Sequence, residues 1–292
     1  MWNRRIIAAV MMAGSLCGMG AAYAADAERD ALIQQTIKLS GLKAQIDQFP
    51  AVMHAQLAAR QRDVPPEVYE KMSPVFAEAS RTDLALQSVT KSFEAQYDHD
   101  KLVQIVQRLQ SPLFMKMTAL ETVSADATQE HVQAFIAEVQ QTPPPEARLA
   151  IMRRLSQATD TAAMLERISL ALTKGLAKGM ASAMDVVPPA PGEVEAAIHQ
   201  QAVANAEMIE SGALLRNLYT YRTATDPELE EYVSFLETEL GRWLTATGAN
   251  ALIQAYVDMT ERMGGQLADI AKSMPRKPKP AATEPSASSA PR

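Results

Sequence analysis

The sequence predicts an all-α fold: a helical bundle built from two related multi-helix repeats, followed by a disordered C-terminal tail. Three observations predict it. Apolar residues recur at intervals of three and four over long stretches, the pattern of a helix with one buried face. No stretch of period-two alternation rich in Val, Ile and Thr competes with them. Glycine, at 12 residues, and aromatics, at 5%, are too scarce to favour glycine-rich phosphate loops or turn-rich sandwiches. With 47% hydrophobic and 21% charged residues among 292, wholesale disorder, collagen and a polytopic membrane protein are disfavoured. The pattern accommodates about ten to twelve helices.

Residues 1–24 read as an export signal. Arg4 and Arg5 precede an apolar, uncharged run from Ile6 to Ala22, and Ala22-Tyr23-Ala24 places small residues where a signal peptidase reads them. Cleavage is therefore expected after Ala24, giving a periplasmic protein with no transmembrane span. Cys17, the only cysteine, lies in this leader behind Gly14-Ser15-Leu16, the reverse of the order that a lipoprotein signal needs. The mature chain then has no thiol for a disulfide, a thiolate metal site or a nucleophile. Losing Arg4 and Arg5 leaves 26 basic residues against 34 acidic. The tail from Pro275 holds Arg276, Lys277, Lys279 and Arg292 against Glu284, so the body from Ala25 to Met274 carries a net charge of −11. An acidic body repels phosphate backbones, which argues against nucleic acid as a partner.

Within the body, Pro65-Pro66 precede the first clear period, Val68, Met72, Val75 and Phe76. Asp98-His99-Asp100 follows as a helix entry, ahead of the row Leu102, Ile105, Val106, Leu109, Leu113, Met117. Pro143-Pro144-Pro145 marks a linker, which sets a first helical repeat at residues 25–142 and a second at residues 146–274. The second opens on Met164, Leu165, Ile168, Leu172, Leu176 and Met180. On that helix Ala171, Gly175, Gly179 and Ala183 form a face almost without side chains, which lets another helix of the same fold approach closely. Beyond Pro188-Pro189-Ala190-Pro191, Asp226-Pro227 with Glu228 and Glu230 is a second helix entry, ahead of Leu229, Tyr232, Val233, Leu236, Leu240, Trp243 and Leu244. Residues 275–292 mix Pro, Ala, Ser and basic residues with no apolar period, the composition of a disordered tail.

The two rows match each other. Placing Leu102 on Leu229 sets Ile105 on Tyr232, Val106 on Val233, Leu109 on Leu236 and Leu113 on Leu240. One residue less of shift sets Glu67-Val68 on Glu193-Val194, each behind prolines. This pattern is that of an internal duplication with small insertions at surface turns.

Leu102-Val-Gln-Ile-Val-Gln-Arg-Leu-Gln-Ser-Pro-Leu-Phe-Met-Lys116, following Phe93 and Tyr97, resembles the signature segment of an exported bacterial family, the domain of unknown function 2059 family. Ser111, Pro112 and Lys116 match the signature, while Arg108, Leu109 and Phe114 stand where it has Phe, Tyr and Gly. The second copy keeps the other part: Phe235 and Gly241 match, and Thr238-Glu239 replace Ser-Pro. The resemblance implies a periplasmic helical domain and supplies no activity, cofactor or catalytic residue. Physically, a Ser-Pro within a helical pattern ends one helix and restarts another, with Ser111 available as a cap for the second; Gly241 allows close packing or a bend.

Chemistry is sparse. His54, His99, His131 and His199 lack metal-ligand spacing, and no cofactor or metal is expected. No GxSxG elbow, SxxK, Walker loop or GxGxxG is present, and the expectation is a non-enzyme. Asp98-His99-Asp100 could combine acid, base and orienter, but its counterpart Thr225-Asp226-Pro227 has no base, so a helix cap is preferred. Met115 and Met117 invite a copper reading, yet on a helix they point about 200° apart, and core filling is the better account. The expected role is binding or scaffolding in the cell envelope, with an envelope protein as partner. An apolar groove near Phe93 and Tyr97, or near Tyr219 and Tyr221, is its expected place. A carrier of an apolar ligand or lipid in the same groove, and an envelope hydrolase with an unrecognised site, are the alternatives.

Overall fold

A computed structural model describes residues 25–59, 61–62, 65–125, 127–184 and 190–273. The expected export signal with Cys17, the Pro188-Pro189 break and the C-terminal tail lie outside these residues. The described residues form helices with no strand among them, and the all-α class holds. In chain order they are α1 (25–39), α2 (Leu42–Asp47), α3 (Phe49–Ala59), α4 (Pro66–Ala79), α5 (Thr82–Ala95), α6 (His99–Leu109) and α7 (Pro112–Ala125). Then follow α8 (Gln129–Gln141), α9 (Glu146–Ala158), α10 (Thr161–Met184), α11 (Pro191–Ala204), α12 (Ala206–Thr220), α13 (Asp226–Leu236) and α14 (Glu239–Ser273). None of them is long and apolar enough to cross a membrane.

Local signals set several boundaries. Asp98 accepts the Lys101 N–H at 3.1 Å and so opens α6, the cap expected of it. Thr225 and Glu228 form a reciprocal capping box ahead of α13, one residue before the Asp226 named from the sequence. Helix α6 ends at Leu109 and α7 starts on Pro112, as the Ser-Pro requires. Ser111 does not cap it. Its hydroxyl is buried without a partner, because a proline at the first position already presets the backbone, and the turn closes through Met115 N–H donating to Ser111 C=O at 3.0 Å. The continuous period from Leu229 to Leu244 is also broken, after Leu236, with no proline to force it. Here Thr238 takes the cap, accepting the Gly241 N–H at 3.0 Å. A Cβ on Gly241 would stand 2.1 Å from the Phe235 carbonyl oxygen, so this turn closes only around glycine.

Packing does not follow the linker. The largest core joins α1–α5 and Leu102 of α6 to Ala251, Leu252, Ala255, Met259 and Met263 of α14, so a helix of the second half fills the centre of the first. A second core sets Met117 of α7 among residues of α9, α12 and α13. A third, with Ile105, Leu109, Phe114 and Leu244, lies where the halves meet. Helices α10 and α14 run side by side in the same direction: Arg167 bonds Asn250 near one end, and Lys178 pairs with Glu261 at 2.8 Å near the other. Their approach is so close that a Cβ on Gly179 would meet the Glu261 carbonyl oxygen at 2.4 Å. The small face read from the sequence is thus closed within the fold at Ala171, Gly175 and Gly179; the side chain of Ala183 lies outside the described residues.

Helix bounds recur along the chain. Helices α4 and α11 each span 14 residues, and α6 and α13 each span 11, the latter pair beginning 127 positions apart. Helices α7 and α14 also start 127 apart, at Pro112 and Glu239. Positive φ angles occur at Gly41 (78°), before α2, and at Asp160 (48°), before α10. Contacts across the halves obey the same shift: Lys101 stands 5.6 Å over the Trp243 ring, and Lys116 pairs with Glu228 at 2.7 Å. Since 101 maps onto 228 and 116 onto 243, these contacts exchange with one another, the relation seen across a two-fold interface.

Candidate functional site

Helix α7 concentrates the features that packing alone does not require. Its sequence, PLFMKMTALETVSA, is apolar on both sides. Phe114 and Met117 point inward and are fully buried, while Pro112, Met115, Ala119 and Val123, spaced three, four and four apart, form an exposed outer row. Met115 is 57% exposed and Val123 64%. Met115 and Met117 therefore face opposite environments and do not converge. Helix α8 follows with no buried residue, although α14, which starts 127 residues after α7, runs on without a break into the core.

The inner side of α7 carries a carboxyl. Glu121 accepts the Tyr221 hydroxyl at 2.5 Å and the Tyr232 hydroxyl at 2.8 Å, both on the same oxygen, Oε1. The tyrosine rings lie 6.0 Å apart, and Tyr232 also meets Phe114 edge-on at 5.2 Å. Arg148 of α9 fixes the turn that presents Tyr221, donating to the carbonyls of Tyr221 at 2.7 Å and Ala224 at 2.8 Å and pairing with Asp226. Burial raises the Glu121 carboxyl above its usual range; the two phenols and the charge of Arg216 oppose this. Burial, and then the charge of Glu121, push both tyrosines well above the usual phenol range, so they stay protonated donors.

Ser111, Pro112, Lys116, Phe235 and Gly241, the residues that carry the family resemblance, gather where α6 turns into α7 and α13 into α14. There Arg108 lies between the rings of Phe114 and Phe235, at 4.8 and 5.4 Å, and pairs with Glu231 at 3.1 Å. Phe114 meets Phe235 edge-on at 4.9 Å. These contacts join the two halves. Lys116 sets up one pH response: with Thr225 it holds the Glu228 carboxyl down to about 2. The folded value lies below the ordinary carboxylate value, so this stabilisation is complete above that range and is lost as pH falls toward 2. Denaturant titrations of wild type and Glu228→Gln are expected to differ near neutrality and to converge near pH 2; a gap unchanged by pH would sink this account.

Of the four residues named for a groove, Phe93 and Tyr221 are taken into cores, while Tyr97 and Tyr219 are half-buried. Phe93 is 1% exposed in the largest core, with Tyr97 packed against that core, while Tyr221 is 5% exposed in the second core. Tyr219 is half-buried, 5.3 Å from Phe135 of α8 and covered by Arg222. Turns rich in aromatics mark where large side chains enter a core, and here one ring at each turn does so. His99 lies exposed between Asp100 at 3.1 Å and Glu28 at 3.4 Å, which raise its pKa. His199 contacts Glu166 at 2.9 Å; His54 and His131 are exposed elsewhere. Among the described residues no three His, Cys, Asp or Glu side chains are grouped to hold a metal ion.

Sequence reading missed Glu121. The signal was present: Glu121 continues the inward series Phe114, Met117, 121, which places a half-buried carboxyl beside a core. No protein-family model, curated protein or solved structure matches the chain.

Proposed function

We propose that this protein is an exported, non-enzymatic binding or scaffold module of the cell envelope, related to the domain of unknown function 2059 family and built from two divergent copies of one helical unit. Export rests on the Arg4-Arg5 leader and its Ala22-Tyr23-Ala24 site. Duplication is supported by the matched bounds of α6 with α13 and α4 with α11, and by the exchange of the Lys101–Trp243 and Lys116–Glu228 contacts.

The outer row of α7 carries the binding reading. A helix that is apolar all round belongs in a core, yet Met115, Ala119 and Val123 face solvent. An apolar row on a surface marks an interaction site when it is contiguous, and this one runs the length of the helix. A photo-crosslinking amino acid at Ala119, activated in intact cells, is expected to yield one discrete protein adduct. Met115→Lys is expected to abolish that adduct while changing stability by less than about 0.5 kcal/mol, because the side chain is exposed. An adduct of lipid mass would move the assignment to a carrier, and no adduct would overturn it.

A further inference from the structure

We propose, resting on the binding reading of the α7 row, that Met115 is a reversible oxidation site whose sulfoxide turns that row off. Cys17, the only cysteine, lies in the expected export signal, so the mature chain offers an oxidant thioethers and no thiol. Burial sorts those thioethers. Met117, Met152, Met259 and Met263 are buried, and Met53, Met72 and Met164 are half-buried. Among the methionine side chains that the structure describes, Met115 and Met208 alone are exposed. Met115 and Met117, two residues apart on one helix, therefore differ in access to a dissolved oxidant and not in chemistry.

Oxidation needs one partner, a peroxide. The thioether sulfur gives a lone pair to one oxygen of hydrogen peroxide and the O–O bond breaks. That oxygen stays on sulfur as the sulfoxide, and its proton passes to the leaving hydroxide, which departs as water. Sulfur loses two electrons and the peroxide gains them. A dithiol reductase reverses the change, removing the oxygen as water and ending as a disulfide.

The surroundings of the two exposed sites decide where this matters. Met208 stands among the exposed Glu207, Glu210 and Ser211, where one more polar group changes little. Met115 belongs to the row Pro112, Met115, Ala119 and Val123, which has no polar side chain. The donors beside it are engaged: Lys116 with Glu228 at 2.7 Å, Thr118 with the Leu39 carbonyl at 3.2 Å and Thr122 with the Thr118 carbonyl at 2.9 Å. The Ser111 hydroxyl is buried. Water is then what satisfies a sulfoxide oxygen at this place, and an apolar partner would have to strip that water away without replacing its hydrogen bond. The free protein bears the change without strain, because the side chain is exposed; the docked one does not.

The test uses the mature full-length chain with a photo-crosslinking amino acid at Ala119, treated with hydrogen peroxide, freed of it and irradiated with an untreated envelope fraction. Peptide mass spectrometry is expected to find Met115 and Met208 oxidised while Met117 is not. The adduct is expected to fall about tenfold or more, and to return after repair by the two reductases that act on the two sulfoxide epimers. The melting temperature is expected to stay within about 2 °C of that of the untreated chain. Met208→Leu is expected to show the same fall, whereas in Met115→Leu the ratio of adduct after treatment to adduct before it is expected to stay near one. Oxidation of Met117 as fast as Met115, an adduct that survives oxidation, or an equal fall in Met115→Leu overturns the switch and leaves the binding reading standing. Absence of an adduct from the untreated chain overturns the binding reading and the switch with it.

Discussion

Gly179→Ala is expected to destabilise the protein by about 3 kcal/mol, although alanine is the better helix former. The added Cβ would stand 2.4 Å from the Glu261 carbonyl oxygen, 2.8 Å from the Gly265 nitrogen and 2.9 Å from the Gly264 Cα. All three are backbone atoms of α14 and cannot rotate away. The methyl group is accommodated only if α10 and α14 separate, which opens the contact along both helices. Gly212→Ala is the matched comparison: nothing lies within 4 Å of its Cβ, so that change is expected to stabilise by up to about 1 kcal/mol. Thermal unfolding would show Gly179→Ala melting about 6–12 °C below wild type and Gly212→Ala at or above it. Equal melting of Gly179→Ala and wild type would mean that the close approach is absent.

Phe114→Ala is expected to cost about 3–5 kcal/mol. The ring is 1% exposed and touches Arg108 of its own half together with Tyr232 and Phe235 of the other. Because these contacts cross between the halves, and because α14 also fills the core of the first half, the loss is expected in a single transition that both halves share. A variant that melts in two steps, one of them at the wild-type temperature, would show that the halves fold independently. Met115→Ala, one residue along but 57% exposed, is expected to stay within about 0.5 kcal/mol of wild type.

Both predictions concern residues whose type was noticed in the sequence and whose effect was not legible there. The glycine face of α10 was visible as a repeat of four, but only the approach of α14 makes one methyl group costly. Phe114 stood out as a departure from the family signature, and its edge-on contact with Phe235 relates two residues 121 positions apart. The burial of Phe93 and Tyr221 was not legible for the opposite reason: aromatic residues beside a turn look the same in sequence whether they line a surface or fill a core. Glu121 was overlooked because a lone glutamate on a helix is usually solvated, and its two partners lie 100 and 111 residues away.

By itself the sequence determined the helical class, the cap at Asp98, a helix entry within one residue of Asp226, the restart at Pro112 and the match between the rows from Leu102 and Leu229. These depend on the period of apolar residues, on a capping oxygen or on a missing N–H, all of which act within one or two turns of helix. The tertiary structure alone decided that α14 enters the first half, that α10 lies against it at glycine distance, that the outer row of α7 stays uncovered and that Glu121 accepts from two tyrosines. Each of these depends on which apolar face meets which, and helices with similar faces can be assembled in many ways until shape and volume select one.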